Sequence, residues 1–374
     1  MQLRKKVLSV VLVCLVILIA SGAVYCFSIL QGISGDRLDS SQLHINQKLD
    51  KDVSNIAVFG LDGRNDVEGD RSDTIMLVTV NYKTGNVKVT SLMRDLMVKI
   101  PETRENNVSY EKVNAAYDYG GPELAVQTLN ENLDLNISDY VSIDFKCLVD
   151  VVNALGGVEI NIPNESVLHW TNQYIMDDND KVGKSDPFLT QTGVQTVTGI
   201  QALSFCRERY SDNDYMRTKR QREVFEQIAQ KLFNSDIFTD LNLLGRVYPY
   251  VQTSLPLKDM TGYAKTFMSL DNKTFDGYRV PLDDYSYGDM IDGVWYLVPD
   301  TLADNAIVLH KILYGNDSDY TPSDDLMKIS DTIAGQTGGK TGITIVTIDT
   351  SAPFESYLKD SANENVVVPV EDAP

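Results

Sequence analysis

The sequence predicts an α/β fold, a mixed central β-sheet flanked by helices, with a transmembrane helix ahead of it. Three observations lead there. β-rich runs and helix-period runs interleave from about residue 55 to residue 233, a pattern that favours a sheet with helices on its faces. Turn signals separate them, at residues 81–85 and at Gly156-Gly157. Ahead of all this, Arg4, Lys5 and Lys6 precede an uncharged run over residues 7–30 that is dense in Val, Leu and Ile.

Each element has its own signal. At about 1.5 Å per residue, the apolar run is long enough to cross a hydrocarbon core of about 30 Å as an uncleaved single-pass anchor. Its basic flank then stays in the cytoplasm and the bulk of the chain lies outside. Residues 31–53 are polar and read as a stalk. Asn55-Ile56-Ala57-Val58-Phe59-Gly60 reads as a buried strand, residues 74–80 as a second and 87–92 as a third. Pro122 opens a helix with Leu124, Val126, Leu129 and Leu133 on one side. Residues 144–155 form another helix, stopped by Gly156-Gly157, and 158–162 return as a strand. Residues 163–192 show little periodicity and read as an excursion over the surface. Helical character resumes over 215–233, with Val224, Phe225 and Ile228 directed inward.

Composition narrows the function classes. With 43% hydrophobic residues the chain can bury a sizeable core. The formal charge of -20 opposes contact with nucleic acid. The three histidines (His44, His169, His310) have no ligand spacing, which argues against zinc. Cys14 and Cys26 fall in the apolar run, while Cys147 and Cys206 read as buried free thiols. From residue 316 onward eleven Asp/Glu face three Lys, which reads as an acidic, disordered tail. Within it, residues 334–341 resemble a phosphate-binding loop, but Ala334 replaces the first glycine, and the segment reads as a flexible turn.

Charged residues gather where strands end, the usual place for ligands in α/β sheets. Asp62 and Arg64 follow the first strand, Arg71-Ser72-Asp73 precedes the second, Arg94-Asp95 closes the third, and Lys112 and Asn114 come soon after. Two carboxylates on neighbouring strand ends can hold Mg²⁺ and leave coordination positions for phosphate. A basic island at residues 207–222 holds six Lys/Arg against three Asp/Glu. Guanidinium forks match phosphate oxygens, so a phosphate ligand is the first reading. The alternative is a solvated helix face, which suits Lys219 and Arg222. Arg207 and Arg209 alternate as on a strand, and Arg217 and Gln221 share a helix face.

Seven ordered motifs resemble the LytR-CpsA-Psr family from about Asn55 to Leu232: Phe59-Gly60-Leu61-Asp62-Gly63-Arg64, Arg71-Ser72-Asp73-Thr74, Ser91-Leu92-Met93-Arg94-Asp95, Lys112-Val113-Asn114-Ala115-Ala116-Tyr117, Leu155-Gly156-Gly157-Val158, Ala202-Leu203-Ser204-Phe205-Cys206-Arg207-Glu208-Arg209 and Arg217-Thr218-Lys219-Arg220-Gln221. Met93 stands where members commonly carry proline. The resemblance implies a phosphotransferase of wall assembly. Such an enzyme takes a glycopolymer (teichoic acid, capsule or another wall glycan) from undecaprenyl pyrophosphate and joins it by a phosphodiester to peptidoglycan. It also implies an organisation: residues 1–6 cytoplasmic, 7–30 anchor, 31–53 stalk, 54–315 catalytic domain with its motif core at 55–233, and 316–374 tail, at the membrane of a Gram-positive-type cell.

By the same analogy Asp62 and Asp73 engage Mg²⁺. Arg71, Arg94, Arg207, Arg209, Arg217 and Gln221 surround the pyrophosphate, with Lys112 nearby. Asp95 or Asp73 serves as general base. The lipid tail needs an apolar channel, so part of the core between sheet and helices should be hollow. Two other readings fit the same motifs: a non-catalytic envelope regulator, and a hydrolase in which water replaces the sugar hydroxyl.

Overall fold

The computed structural model describes residues 37–61, 71–84, 86–103, 107–234, 251–255, 276–282, 285–315, 319–339 and 341–342. A six-stranded mixed sheet forms the centre. Its strands are β1 (Val53–Leu61), β2 (Ser72–Asn81), β3 (Val87–Leu92), β6 (Asp139–Asp144), β9 (Val251–Thr253) and β10 (Asp276–Val280), in the order β10-β3-β2-β1-β6-β9. The β1–β2, β2–β3 and β6–β9 pairs are antiparallel, and β1–β6 and β3–β10 are parallel. Three small hairpins lie outside it: β4 (Met97–Ile100) with β5 (Ser109–Lys112), β7 (Val158–Ile162) with β8 (Gly193–Val197), and β11 (Ser286–Ile291) with β12 (Val294–Pro299).

The period of two along each strand divides the molecule. Ala57, Phe59, Ile75 and Leu77 face a core built with α1 (Ala115–Leu133), α6 (Leu302–Tyr314) and α7 (Asp324–Thr337). Val58 and Met76, their neighbours in the strands, belong to a separate cluster with Phe225 on the other side. That side is covered by α2 (Phe145–Ala154), α4 (Gly199–Arg207) and α5 (Asp214–Asn234). Outside them, α3 (Glu165–Val182) completes a second core with α2, α4, β7 and β8. Backbone contact fixes this layer. A Cβ on Gly199 would strike the Val149 backbone, and one on Gly157, which has φ +91°, would come within 2.6 Å of the Val197 carbonyl oxygen.

Five expectations change. Residues 163–192 contain helix α3 in place of a surface excursion. Asn164 caps its start by accepting from Val167 N, and Gly183 ends it in the left-handed region. Its inward face (Val167, Leu168, Thr171, Ile175, Asp178) includes two polar residues, which blurs the apolar period. The strand 158–162 forms as expected but pairs with β8 in a hairpin outside the central sheet. The stalk reading of 31–53 fails from residue 37 onward. Leu43 is buried in the core beside α1, and Asn46 N donates to Leu135 O at 3.0 Å.

The tail reading of 316–374 fails over α7, whose Leu326, Ile329 and Ile333 pack into the same core. Its start is held by Asp134, which accepts from Tyr320 Oη, Ser323 N and Ser323 Oγ, each at 2.7 Å. Of the stretch 334–341, read as a flexible turn, residues 334–337 are instead the end of α7, closed by Gly338 in the left-handed region with Gly339 N donating to Ala334 O. Residues beyond 342, and the apolar run at 7–30, lie outside the described residues. Among the described residues no helix is long and apolar enough to cross a membrane.

Candidate functional site

Where the sheet's second face meets α2, α4 and α5 the core is hollow. A cavity of about 630 Å³ opens there, and its two ends differ in chemistry. The inner wall is apolar: Val58, Met76, Ile143, Leu148, Val151, Leu203, Val224, Phe225, Ile228 and Val251. At the other end are five arginines (Arg71, Arg94, Arg207, Arg209, Arg217), three aspartates (Asp73, Asp118, Asp144), Tyr174 and Gln221. Gly60 floors the opening, where an added Cβ would press within 2.9 Å of Thr74 Cβ.

Each arginine is set by the element that carries it. Arg94 follows β3 and is held on three sides: Nη1 donates to Asp73 Oδ1 at 2.7 Å, Nε lies 3.3 Å from Asp95 and Nη2 3.8 Å from Asp214. Burial opposes its charge, but the three carboxylates prevail and raise its pKa above the ordinary arginine value. Burial likewise pushes the Asp73 carboxyl upward, yet Arg94, Arg217 and Arg209 outweigh it and hold the group below the usual carboxylate range. Arg217, one turn into α5, donates to the Asp73 carbonyl at 3.0 Å and pairs with Asp214 at 3.0 Å. Its own pKa is lowered by burial despite those partners.

Arg207 and Arg209 do not sit on a strand. The capping box of Thr198 and Gln201 starts a helix that ends at Arg207, and Arg209 lies in the loop beyond. Both still reach the cavity. Arg207 pairs with buried Asp178 and, at 3.3 Å, with Asp177, both from α3, and lies over the Phe145 and Tyr174 rings. Asp178 is further tied by Ser204 Oγ at 2.8 Å. The loop carrying Arg209 is clamped by fully buried Glu208, which accepts from Tyr210 N and Ser211 N and pairs with Arg220 at 2.9 Å. Arg220 also donates to Phe205 O and bridges Asp212. Arg220 thus acts as the internal brace of the loop.

Of the residues predicted from sequence, the cavity brings together Arg71, Asp73, Arg94, Arg207, Arg209, Arg217 and Gln221. Asp95 and Lys112 stand behind them, paired with each other at 3.0 Å, with Asp95 supporting Arg94 from the far side. Asp62 lies outside the described residues. Arg222 is not on a solvated face. It is buried, donates to Ser91 Oγ at 3.0 Å, and its pKa is pushed down to about 10 by burial with Arg279 nearby. Asp118 (3.6 Å from Arg71), Asp178, Tyr174 and Phe145 escaped the sequence reading. Asp118 directly follows the motif that ends at Tyr117; the others lie on α3 or at the start of α2, where no motif marks them. Cys147 and Cys206 line the cavity as free thiols, each pushed up to about 12 by burial. Met93 N donates to Val280 O at 3.1 Å, a bond that a proline could not make.

Among the described residues no three His, Cys, Asp or Glu side chains converge as a metal cage. The donor set present fits Mg²⁺ in another way. Mg²⁺ is usually held by one or two carboxylates plus substrate phosphates, and Asp73 is an ionised carboxylate at the mouth.

The model of the LytR_cpsA_psr family matches residues 30–309. The chain belongs to this family. Among its curated relatives is a polyisoprenyl-teichoic acid–peptidoglycan teichoic acid transferase (TagU) of Bacillus cereus, 29% identical over 79% of this chain and 92% of its own length. The Enterococcus faecalis TagU is 32% identical over 64% of this chain and 72% of its own. Biofilm regulatory protein A of Streptococcus mutans is 33% identical, over 58% of this chain and 53% of its own. Solved structures agree in fold. TagT bound to LI-WTA superposes with a TM-score of 0.55 at 26% identity, covering 81% of this chain and all of that one. The LytR-CPS2A-psr family protein YwtF (TagT) with bound octaprenyl pyrophosphate lipid gives 0.52 at 25% identity, over 81% of this chain and all of its own.

Proposed function

We propose that this protein is a membrane-anchored phosphotransferase that moves a glycopolymer from undecaprenyl pyrophosphate to peptidoglycan through a phosphodiester bond. One observation carries the reading: a single cavity pairs an apolar interior with a mouth of five arginines. A polyprenyl pyrophosphate has that same division, a hydrocarbon chain ending in a dense anion. The TagU relatives are named for this kind of transfer, and one solved neighbour is named with a polyprenyl pyrophosphate bound. The run at residues 7–30 serves as the anchor and keeps the domain, outside the cell, against the bilayer that holds the donor.

The acceptor hydroxyl oxygen attacks the glycan-proximal phosphorus. The phosphoanhydride bond breaks, undecaprenyl monophosphate leaves, and the hydroxyl proton passes to a base. Such a transition state is loose, so charge stabilisation counts for more than proton removal. Arg94, Arg207, Arg209 and Arg217 supply that charge. Gln221 and Arg71 orient the phosphates at the rim, and Asp73, at the mouth, faces the incoming hydroxyl. Asp95 and Lys112 position Arg94 from behind. Mg²⁺, held by Asp73 and substrate phosphate oxygens, would neutralise further phosphate charge.

The test is transfer by the purified full chain, supplied with polyprenyl pyrophosphate-linked glycan and peptidoglycan oligomers. Formation of the phosphodiester-linked product is expected. Release of free glycan phosphate in place of that product means a hydrolase, and intact donor means a regulator. Asp73→Ala should flatten the Mg²⁺ dependence; an unchanged metal response removes Asp73 from that role.

A further inference from the structure

Beside the arginine mouth, α3 and the Arg209 loop build a surface of aromatic rings that the transfer chemistry leaves unused. The Trp170 and Tyr210 centroids are 4.8 Å apart, and Tyr210 and Tyr174 are stacked at 6.0 Å. This surface is joined to the phosphate site by its own cations: the Arg209 guanidinium lies 5.8 Å from the Tyr210 centroid, and that of Arg207 5.3 Å from the Tyr174 centroid. Tyr174 itself lines the cavity. Tyr210 is 43% exposed, and Trp170 and Tyr174 are partly exposed. Part of this aromatic surface is therefore open to water directly next to the groups that line the cavity mouth.

We propose that Trp170, Tyr174 and Tyr210 form the subsite for the pyranose ring attached to the pyrophosphate of the lipid-linked glycan. The inference rests on the reading above. Its physical basis is continuity: a sugar joined to phosphorus through one oxygen has to lie next to the guanidinium groups that grip the phosphate, and the rings occupy that position. A pyranose presents a face of C–H bonds, and an aromatic ring presents a negative π-face that attracts them. Ring faces beside a few placed polar groups are a common recipe for orienting a small ligand. Held this way, the first sugar fixes the glycan-proximal phosphorus, so the subsite selects donors by their first residue and leaves grip on the bare lipid to the arginines and the channel.

The chain has two tryptophans, so Trp295→Phe leaves Trp170 as the sole reporter. Full-length protein in detergent is titrated with polyprenyl pyrophosphate and with the same lipid carrying one N-acetylglucosamine. The expected result is a change in Trp170 emission with the sugar-bearing lipid alone. Trp170→Ala and Tyr210→Ala should each lose about tenfold in affinity for that lipid, with the bare lipid unchanged, whereas Trp170→Phe retains most of it. Equal losses for both lipids, or no loss, overturn the subsite while sparing the phosphotransferase reading. So does a loss seen only in KM for the peptidoglycan acceptor, or only in binding to empty phospholipid vesicles. If the parent protein binds neither lipid, the phosphotransferase reading falls first and the subsite with it.

Discussion

The two faces of the central sheet are made by the same strands, yet one is filled and the other hollow. On the filled face the Phe59 ring packs tilted against Tyr117 with centroids 5.1 Å apart, and Ala57, Ile75 and Leu77 meet the side chains of α1, α6 and α7. On the hollow face Val58, Gly60, Thr74 and Met76 meet the ends of α2, α4 and α5 across open space. Close packing stabilises a fold, and an unfilled apolar volume gives that stabilisation up. The hollow face is therefore the part of the core kept for something other than stability. The arginine ion pairs at its rim show the same division of labour, because they gather cations that a purely structural surface would spread out.

Two phenylalanines, one on each face, carry the largest expected difference. Phe59→Ala should cost about 4 kcal/mol of unfolding free energy, whereas Phe225→Ala, already facing a void, should cost nearer 1 kcal/mol, both read from denaturant melts. Equal costs would mean that the second face is as tightly packed as the first. Next comes the rim. Arg209→Ala should lower kcat/KM for glycan transfer by about a hundredfold or more with the melting temperature nearly held, since the exposed side chain rests only against the Tyr210 ring and the loop is clamped by Glu208 and Arg220. A destabilised protein, or one with full activity, would remove Arg209 from the site.

The filled side also carries a pH signature. His310 is buried against Tyr320, with Nε2 hydrogen-bonded to Leu133 O at 2.9 Å, and burial pushes its pKa down to about 4. The unfolded imidazole takes its proton at higher pH, near its ordinary value. Stability should thus be complete above about pH 6.5 and fall as the pH drops towards the folded value, by about 2 kcal/mol at pH 5. His310→Gln should flatten that slope in pH-dependent melts; an unaltered slope assigns it to other groups. The smallest effect belongs to the hollow face. With their pKa values pushed up to about 12, Cys147 and Cys206 should resist iodoacetamide at pH 8 under conditions that label the denatured chain. Rapid labelling of the folded protein would show the channel wall to be open to water.

The alternation in β1 and β2 was legible in the sequence, and so were most of the cavity-mouth residues: Arg71, Asp73 and Arg94 because charge gathers at strand ends, and Arg207, Arg209, Arg217 and Gln221 because they lie in a basic island of an acidic chain. Which face is hollow was not legible. Val58 and Ala57 look alike in sequence, and only the helices packed above them decide whether space remains. Helix α3 was missed because Asp178 lies on its inward face, where an apolar residue would have marked the period. Arg207 and Arg209 were placed on a strand because alternation over three residues does not separate a strand from a helix end followed by a loop. Helix α7 was hidden by its acidic composition, whose charges lie mostly on the outer face. In each case the missing information was tertiary: a charge or a void is justified by a partner far away in the chain.

The most direct test of the hollow face is native mass spectrometry of the purified full chain with polyprenyl pyrophosphate, set beside Cys206→Phe, which extends a bulky ring into the channel. One lipid is expected on the parent protein, and none on a Cys206→Phe protein that melts within a few degrees of it. A folded parent chain that binds no polyprenyl pyrophosphate, or a filled variant that binds it as well as the parent, would contradict that expectation.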